Sequence, residues 1–333
     1  MSPIISALFT IFGIMGFGFL AERRQLFPQA MGLCLNRFVY WVSLPALLFT
    51  QMCTIPMDAG TRALVWGGLA ASFLGYGAFY MLFSAGLRRN GPEATLRSLA
   101  VSFPNAAFFG LPFIMMVYPG SEAAINANML CALLYTGVSI TADVSLELFR
   151  GARMRAEQGL AADSAARSAT FRRIGRELAR NPMLQASLAG LVIGMAGLPL
   201  PEAVLRISSM LGSTCAPLAL FSMGMALAAQ ISGALGPFSL RESLLPLSLI
   251  AVGKLLIYPL LAYAVMSLAG CSGVMLASAT VTFAMPVAVM VYILAERDGS
   301  CVAETSMSVV STTLLSLFTL PLVMGALSLV GLY

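Results

Sequence analysis

Apolar residues run together along this chain, and polar residues are confined to short gaps. Ten mostly apolar stretches lie at roughly 4–21, 32–52, 63–86, 93–117, 121–148, 182–198, 203–229, 243–268, 274–296 and 303–329. A helix needs about 20 such residues to cross a hydrocarbon core of about 30 Å. The pattern predicts an all-α integral membrane protein of ten transmembrane helices. Three stretches are interrupted: Pro104 falls in the fourth, Lys254 in the eighth and Pro286 in the ninth.

The gaps carry the orientation, because Lys and Arg accumulate on the cytoplasmic side. If ten spans alternate, one side holds Arg23, Arg24, Arg88, Arg89, Arg97, Arg150, Arg153, Arg155, Arg167, Arg172, Arg173, Arg176, Arg180, Arg241 and Arg297. The other holds only Arg62 and Arg206. The bias of 15 to 2 puts both termini outside, in the periplasm if the membrane is a bacterial inner membrane. The one long polar stretch, 149–181, reads as a cytoplasmic basic loop, and 171–180 within it as a solvated linker or a short surface helix. Its charge lies beside membrane spans, which argues against nucleic acid.

Composition narrows the chemistry. Of 333 residues 59% are apolar and 10% charged, with a mean hydropathy of +0.89. An ordinary soluble domain carries about 25% charged residues. The chain has no histidine, which removes Ser-His catalysis and His-metal sites. Cys34, Cys53, Cys131, Cys215, Cys271 and Cys301 stand singly, without a CxxC pair, so neither a metal site nor a disulfide framework is indicated. The first stretch begins with no basic region before it and reads as a retained span. No enzyme activity and no cofactor is expected.

The two halves echo each other. Ser2–Leu20 resembles Asn181–Leu200, "SLPALLF" at Ser43–Phe49 resembles "CAPLALF" at Cys215–Phe221, and Ser102–Tyr118 resembles Thr282–Tyr292. The paired prolines Pro3/Pro182, Pro45/Pro217 and Pro104/Pro286 are offset by 179, 172 and 182 residues. The expected organisation is a first five-helix repeat at 1–148, the loop at 149–181 and a second five-helix repeat at 182–333. An odd number of spans inverts the second copy, the plan of many secondary transporters.

Pro104 and Pro286 hold the fourth position of their repeats, near mid-span. Proline breaks or kinks a helix, and in lipid the freed backbone groups need protein or a water-filled cavity. Broken helices 4 and 9 are expected to cross near the bilayer midplane. Each break exposes a half-helix N-terminus, whose unpaired N–H groups favour an anion. Asn105 adds hydrogen-bonding capacity on one side, while Val287 leaves the other to backbone N–H groups. Pro45 and Pro217 read as packing kinks.

At these residues the sequence resembles the auxin efflux carrier family of plant and bacterial transporters. The similarity covers "LNRFVYWVSLPALLF" at Leu35–Phe49, "FPNAAFFGLP" at Phe103–Pro112, "LLYTG" at Leu133–Gly137, "LFRGA" at Leu148–Ala152 and "MPVAVMVYILAERDG" at Met285–Gly299. The resemblance implies crossing broken spans, an elevator-like alternating-access cycle, a homodimer and organic anion substrates, malonate or malate in bacterial relatives and auxin in plants. By position it implies that Asn105 and Tyr135 bind substrate. Val287 stands where the plant pattern has an amide, and the short loop fits the bacterial branch.

The substrate-binding expectation therefore covers Pro104, Asn105, Tyr135, Pro286, Val287 and Lys254. Two readings stand for Lys254, which could balance a substrate carboxylate or pair with Asp143. Asp143 in turn reads as a carrier of a coupling proton or as half of a structural ion pair. Arg37 and Glu147 lie near the cytoplasmic boundary and read as anchors. Hydroxyls in spans 5 and 10 either face a cavity or bond their own backbone. The leading function is carriage of a small carboxylate. The alternative is a membrane sensor that binds the same ligand without transport, disfavoured by the lack of a signalling domain. No partner other than substrate, lipid and a second copy is expected.

Overall fold

A computed structural model describes residues 3–28, 30–55, 58–158, 175–176, 179–234 and 240–332. The chain is all-helical, and helix lies over each of the ten apolar stretches. The helices are α1 (Pro3–Arg23), α2 (Met31–Phe38), α3 (Leu44–Thr54), α4 (Ala59–Met81), α5 (Gly91–Ser102), α6 (Leu111–Val117), α7 (Glu122–Gln158) and α8 (Pro182–Ala196). They continue as α9 (Glu202–Ser213), α10 (Cys215–Ala234), α11 (Leu240–Val252), α12 (Tyr258–Leu268), α13 (Gly273–Phe283), α14 (Val289–Asp298) and α15 (Val302–Leu329). Wider π-helical turns join α2 to α3 (Val39–Ser43), close α4 (Leu82–Gly86), precede α6 (Ala106–Gly110) and join α11 to α12 (Gly253–Ile257). Among the described residues seven helical runs are long and apolar enough to cross a membrane, and Ala106–Val117, Pro182–Ala196 and Gly273–Phe283 are shorter apolar helices. Helix α7 runs ten residues past the predicted end of its span, and most of the expected helix at 171–180 lies outside the described residues.

Local signals set the boundaries. Asn181 starts α8: its Oδ1 accepts from the Met183 and Leu184 N–H groups at 2.9 and 3.3 Å, and Pro182 follows in the first turn. Gly197 ends α8 at φ +60°, the left-handed position that favours glycine. Asp58 and Asn90 start α4 and α5 in the same way, accepting from Thr61 N–H at 2.7 Å and Glu93 N–H at 2.9 Å.

The helices sort into two groups. In the first, α1 packs on α10, and α3 packs on α8 and α9. These contacts are close because the facing residues are small. A Cβ on Gly18 would stand 2.0 Å from the Phe221 carbonyl oxygen, and one on Gly224 2.0 Å from that of Met15. In the second group α4 packs on α5, α7 and α12, while α13 lies against α7 and α12. Helix α6 reaches across to α1, and α15 contacts α10, α11 and α14.

Polarity is inverted relative to a water-soluble fold. Phe9, Trp66 and Phe318 point outward, while Ser308, Thr312, Thr313 and Ser316 of α15 are buried. Those four hydroxyls donate to carbonyls three or four residues back, at 2.6–2.8 Å. Span 10 thus takes the backbone-bonding reading of its hydroxyls.

Candidate functional site: the crossing of two broken helices

Helix α5 stops at Ser102 and α13 at Phe283, each just before its proline. The chain between α5 and the following π turn meets the chain between α13 and α14 as a short antiparallel bridge, Pro104 opposite Val287. Asn105 N–H donates to the Pro286 carbonyl at 2.8 Å, and Ala288 N–H to the Phe103 carbonyl at 3.1 Å. The backbone freed by one break is satisfied by the other, which meets the requirement for irregular backbone away from water.

Neighbouring helices hold the crossing. Thr312 Oγ1 on α15 accepts from Val287 N–H at 3.1 Å. On α7, Asn128 donates through Nδ2 to the Ala106 carbonyl at 3.2 Å, and its Oδ1 accepts from the Thr282 hydroxyl at 2.8 Å. Asn128 and Thr312 are both fully buried. Their numbers differ by 184, close to the 182 that separates the two prolines. Sequence reasoning missed both roles; the repeat offset was the signal that pairs them.

In front of the crossing lies a cavity of about 500 Å³. Its walls come from both groups of helices: Asn36, Arg37 and Tyr40 on one side, Thr136, Ser139 and Asp143 on the other. Both restarting helices open onto it, through Ala106–Phe108 and through Ala288–Met290. Helix α14 begins there with no side-chain cap; Val291 N–H is taken by the Ala288 carbonyl at 3.1 Å, which leaves the N–H groups of Val289 and Met290, both lining residues, without an intrahelical partner.

Of the expected site residues, Pro104, Asn105, Tyr135 and Asp143 line this cavity. Asn105 caps the π turn, its Oδ1 accepting from Phe108 N–H at 3.3 Å. Among the described residues its Nδ2 meets only Met223 Sδ at 3.3 Å, a weak acceptor, so the amide keeps donor capacity. The Tyr135 hydroxyl is buried near that of Tyr258, and its ring packs edge-on against Phe103 and Phe283.

Pro286, Val287 and Lys254 are absent from the lining. Pro286 and Val287 lie behind it because the bridge uses the Pro286 carbonyl and Thr312 takes the Val287 N–H. The free N–H groups of that side belong to the next turn. Lys254 is fully buried in the π turn between α11 and α12, and its Nζ donates to the Phe283 carbonyl at 3.1 Å. It does not pair with Asp143, which is ion-paired with Arg297 of α14. A second pair binds the same two helices, Arg150 Nη2 to Asp298 Oδ1 at 3.1 Å. Arg37 is exposed on the cavity wall and has no ion pair among the described residues.

Among the described residues no three Cys, Asp or Glu side chains gather as metal ligands. The arrangement offers a membrane-embedded binding space framed by helix N-termini. Such a chain, with its apolar helices turned outward, is a multi-pass membrane transport protein. Residues 3–324 match the family model described as "Membrane transport protein", and the chain belongs to that family, the auxin efflux carriers. A protein of Rhizobium meliloti (strain 1021) described as "Putative malonate transporter" is 26% identical over 325 residues, covering 96% of this chain and 94% of the relative.

Proposed function

We propose that this protein is a secondary carrier of a small organic anion, a dicarboxylate such as malonate or malate, working by elevator-like alternating access. The observation that carries the reading is that both half-helix N-termini open onto one cavity at the crossing of the broken spans. Two such ends, the Asn105 amide and the Arg37 guanidinium favour a carboxylate-bearing ligand. The similar Rhizobium protein is named for a dicarboxylate, which supports the same class.

The cavity lies between the two helix groups. That fits a cycle in which the group bearing α4, α5, α7 and α12–α14 slides against the group bearing α1, α3 and α8–α10. The pairing of α1 with α10 and of α8 with α3 is what a two-fold axis relating residues 1–148 to 182–333 would generate, with 149–181 as the linker. In this reading ten spans form two inverted repeats. Both termini face the periplasm, the protein sits in a bacterial inner membrane, and it works as a homodimer. Arg37, Asp143 and Asn181 in the walls then mean that the cavity opens toward the cytoplasm. Asn105 and Tyr135 contact the substrate, and Pro104, Pro286 and Val287 shape the crossing.

The test is uptake of labelled malonate, malate and a panel of other organic acids into proteoliposomes. Asn105→Ala should reduce uptake at least tenfold while the protein still elutes as a folded species. No movement of any acid in either direction by the wild type would leave a non-transporting sensor as the better reading.

A further inference from the structure

Lys254 is the fully buried cation that the binding cavity does not use. Three features define its surroundings. It contacts the carbonyl end of α13, where the break leaves carbonyl groups without helical partners and where carriers with broken helices hold coupling ions. Its Nζ stands 4.7 Å from the centre of the Tyr258 ring, a face that stabilises a cation. And among the described residues no acid answers it. Among the spanning acids, Asp143 is bound to Arg297, and Glu93 and Glu304 to Arg97.

The turn that carries Lys254 packs on α5, α11, α12 and α15. Their other titratable or charged groups are Glu93 and Arg97 of α5, Tyr258 and Tyr263 of α12, Glu304 of α15, and Arg241 and Glu242 in the first turn of α11, twelve or more residues before Lys254. Beyond these, Tyr135 of α7 touches Phe283, which touches Tyr258. Helix α13 contributes none. A buried ammonium without a carboxylate is costly, so the charged form needs a negative partner that comes and goes. The anion cavity supplies one. Lys254 reaches it through touching aromatic rings, Tyr258 to Phe283 at 5.0 Å and Phe283 to Tyr135 at 5.0 Å, and Tyr135 lines the cavity. The Tyr258 and Tyr135 hydroxyls are both buried and lie close enough to each other to interact.

We propose that Lys254 carries the coupling proton of the transport cycle. The inference rests on the carrier reading. With the site empty, the amine is neutral and still donates to Phe283. When a dianion enters, the nitrogen lone pair takes a proton that cavity water supplies through the Tyr135 and Tyr258 hydroxyls, each hydroxyl giving up one proton as it receives another. After the site has opened to the other side and the anion has left, the ammonium returns that proton to water there. One proton moves with each dianion, in the same direction, and one net negative charge crosses per turnover. Sodium has no part in the cycle.

The experiment uses full-length protein in liposomes with a trapped pH dye and labelled malonate. Wild type should acidify the lumen as malonate enters, and an inward proton gradient should drive accumulation equally well in sodium and in choline buffer. Lys254→Gln cannot take the proton and Lys254→Arg cannot release it. Both should keep malonate exchange within about threefold of wild type and lose at least 90% of gradient-driven accumulation. Wild-type malonate uptake without proton movement, or accumulation preserved in either variant, overturns the proposal while leaving the carrier reading standing. Loss of exchange in both variants assigns Lys254 to packing and also overturns it. Wild type that moves no organic acid overturns both readings.

Discussion

Asn128 Oδ1 accepts a hydrogen bond from the Thr282 hydroxyl at 2.8 Å while Asn128 Nδ2 donates to the Ala106 carbonyl at 3.2 Å. One side chain on α7 thus holds both broken spans, one on each side of the crossing. Removing it takes away two buried hydrogen bonds, each worth about 0.5–1.5 kcal/mol, while the Ala106 carbonyl keeps Leu111 N–H and the Thr282 hydroxyl keeps the Ser278 carbonyl. Asn128→Ala should lower the unfolding temperature in detergent by several degrees and slow malonate exchange more than it weakens malonate binding. Thr282→Val keeps the shape and leaves Asn128 with its bond to Ala106, so it should cost less. Equal losses in the two variants would show that Asn128 does not act through this pair of bonds.

Arg37 projects into the cavity from α2 without an ion-pair partner among the described residues. It is exposed, so its pull on an anion is screened and amounts to about 0.5–1 kcal/mol. Arg37→Gln should raise the KM for malonate about two- to fivefold with little change in maximal rate, and the effect should shrink as salt is raised. A drop in maximal rate at unchanged KM would place Arg37 in the conformational cycle instead.

Asp58 stands outside the membrane spans, and the hydrogen bond from Thr61 N–H holds its carboxyl below the usual carboxylate range. A carboxyl depressed by folding adds stability above its unfolded value, near 4, and that stability is lost as pH falls through the lower folded value. Asp58→Ala should therefore lower the unfolding temperature at pH 7 and should cease to matter at pH values below the folded pKa. Asp58→Asn keeps an N-cap acceptor and should lie between wild type and Asp58→Ala at pH 7. A deficit in Asp58→Ala that persists unchanged into strong acid would exclude the carboxylate as its source.

Much of the helical layout was legible because the membrane enforces it. Length and apolar runs mark the helices, and proline marks the breaks at Pro104 and Pro286. Asn105 could be singled out because it follows one of those prolines directly. What could not be read was which side chains meet across the chain. Asn128 finds Thr282, 154 residues away, and Arg97 finds Glu304, 207 residues away. Lys254 looked like a cavity residue from its depth in the eighth stretch. The π turn at Gly253–Ile257 aims it at α13 instead, and no apolar periodicity reports such a turn.

Arg97 is the sharpest such case. Counted with the cytoplasmic loops by sequence, it lies in α5 only 5% exposed, its Nε and Nη2 donating to the two Glu304 carboxylate oxygens at 2.6 and 2.8 Å. Nη1 binds Glu93 at 3.0 Å. The fork geometry ties the start of α15 to α5, just ahead of the first break. A buried pair of this kind adds little over well-packed apolar residues, yet breaking it from one side costs about 3–5 kcal/mol, because the remaining charge is left buried. Arg97→Met should accordingly abolish most of the folded peak in fluorescence size-exclusion chromatography, since two carboxylates lose their shared cation. Glu304→Gln should be milder, because Arg97 keeps Glu93. The double variant Arg97→Met with Glu304→Met should recover much of the folded yield. If the double variant is no better than Arg97→Met alone, the pair is required for more than neutralising its own charge.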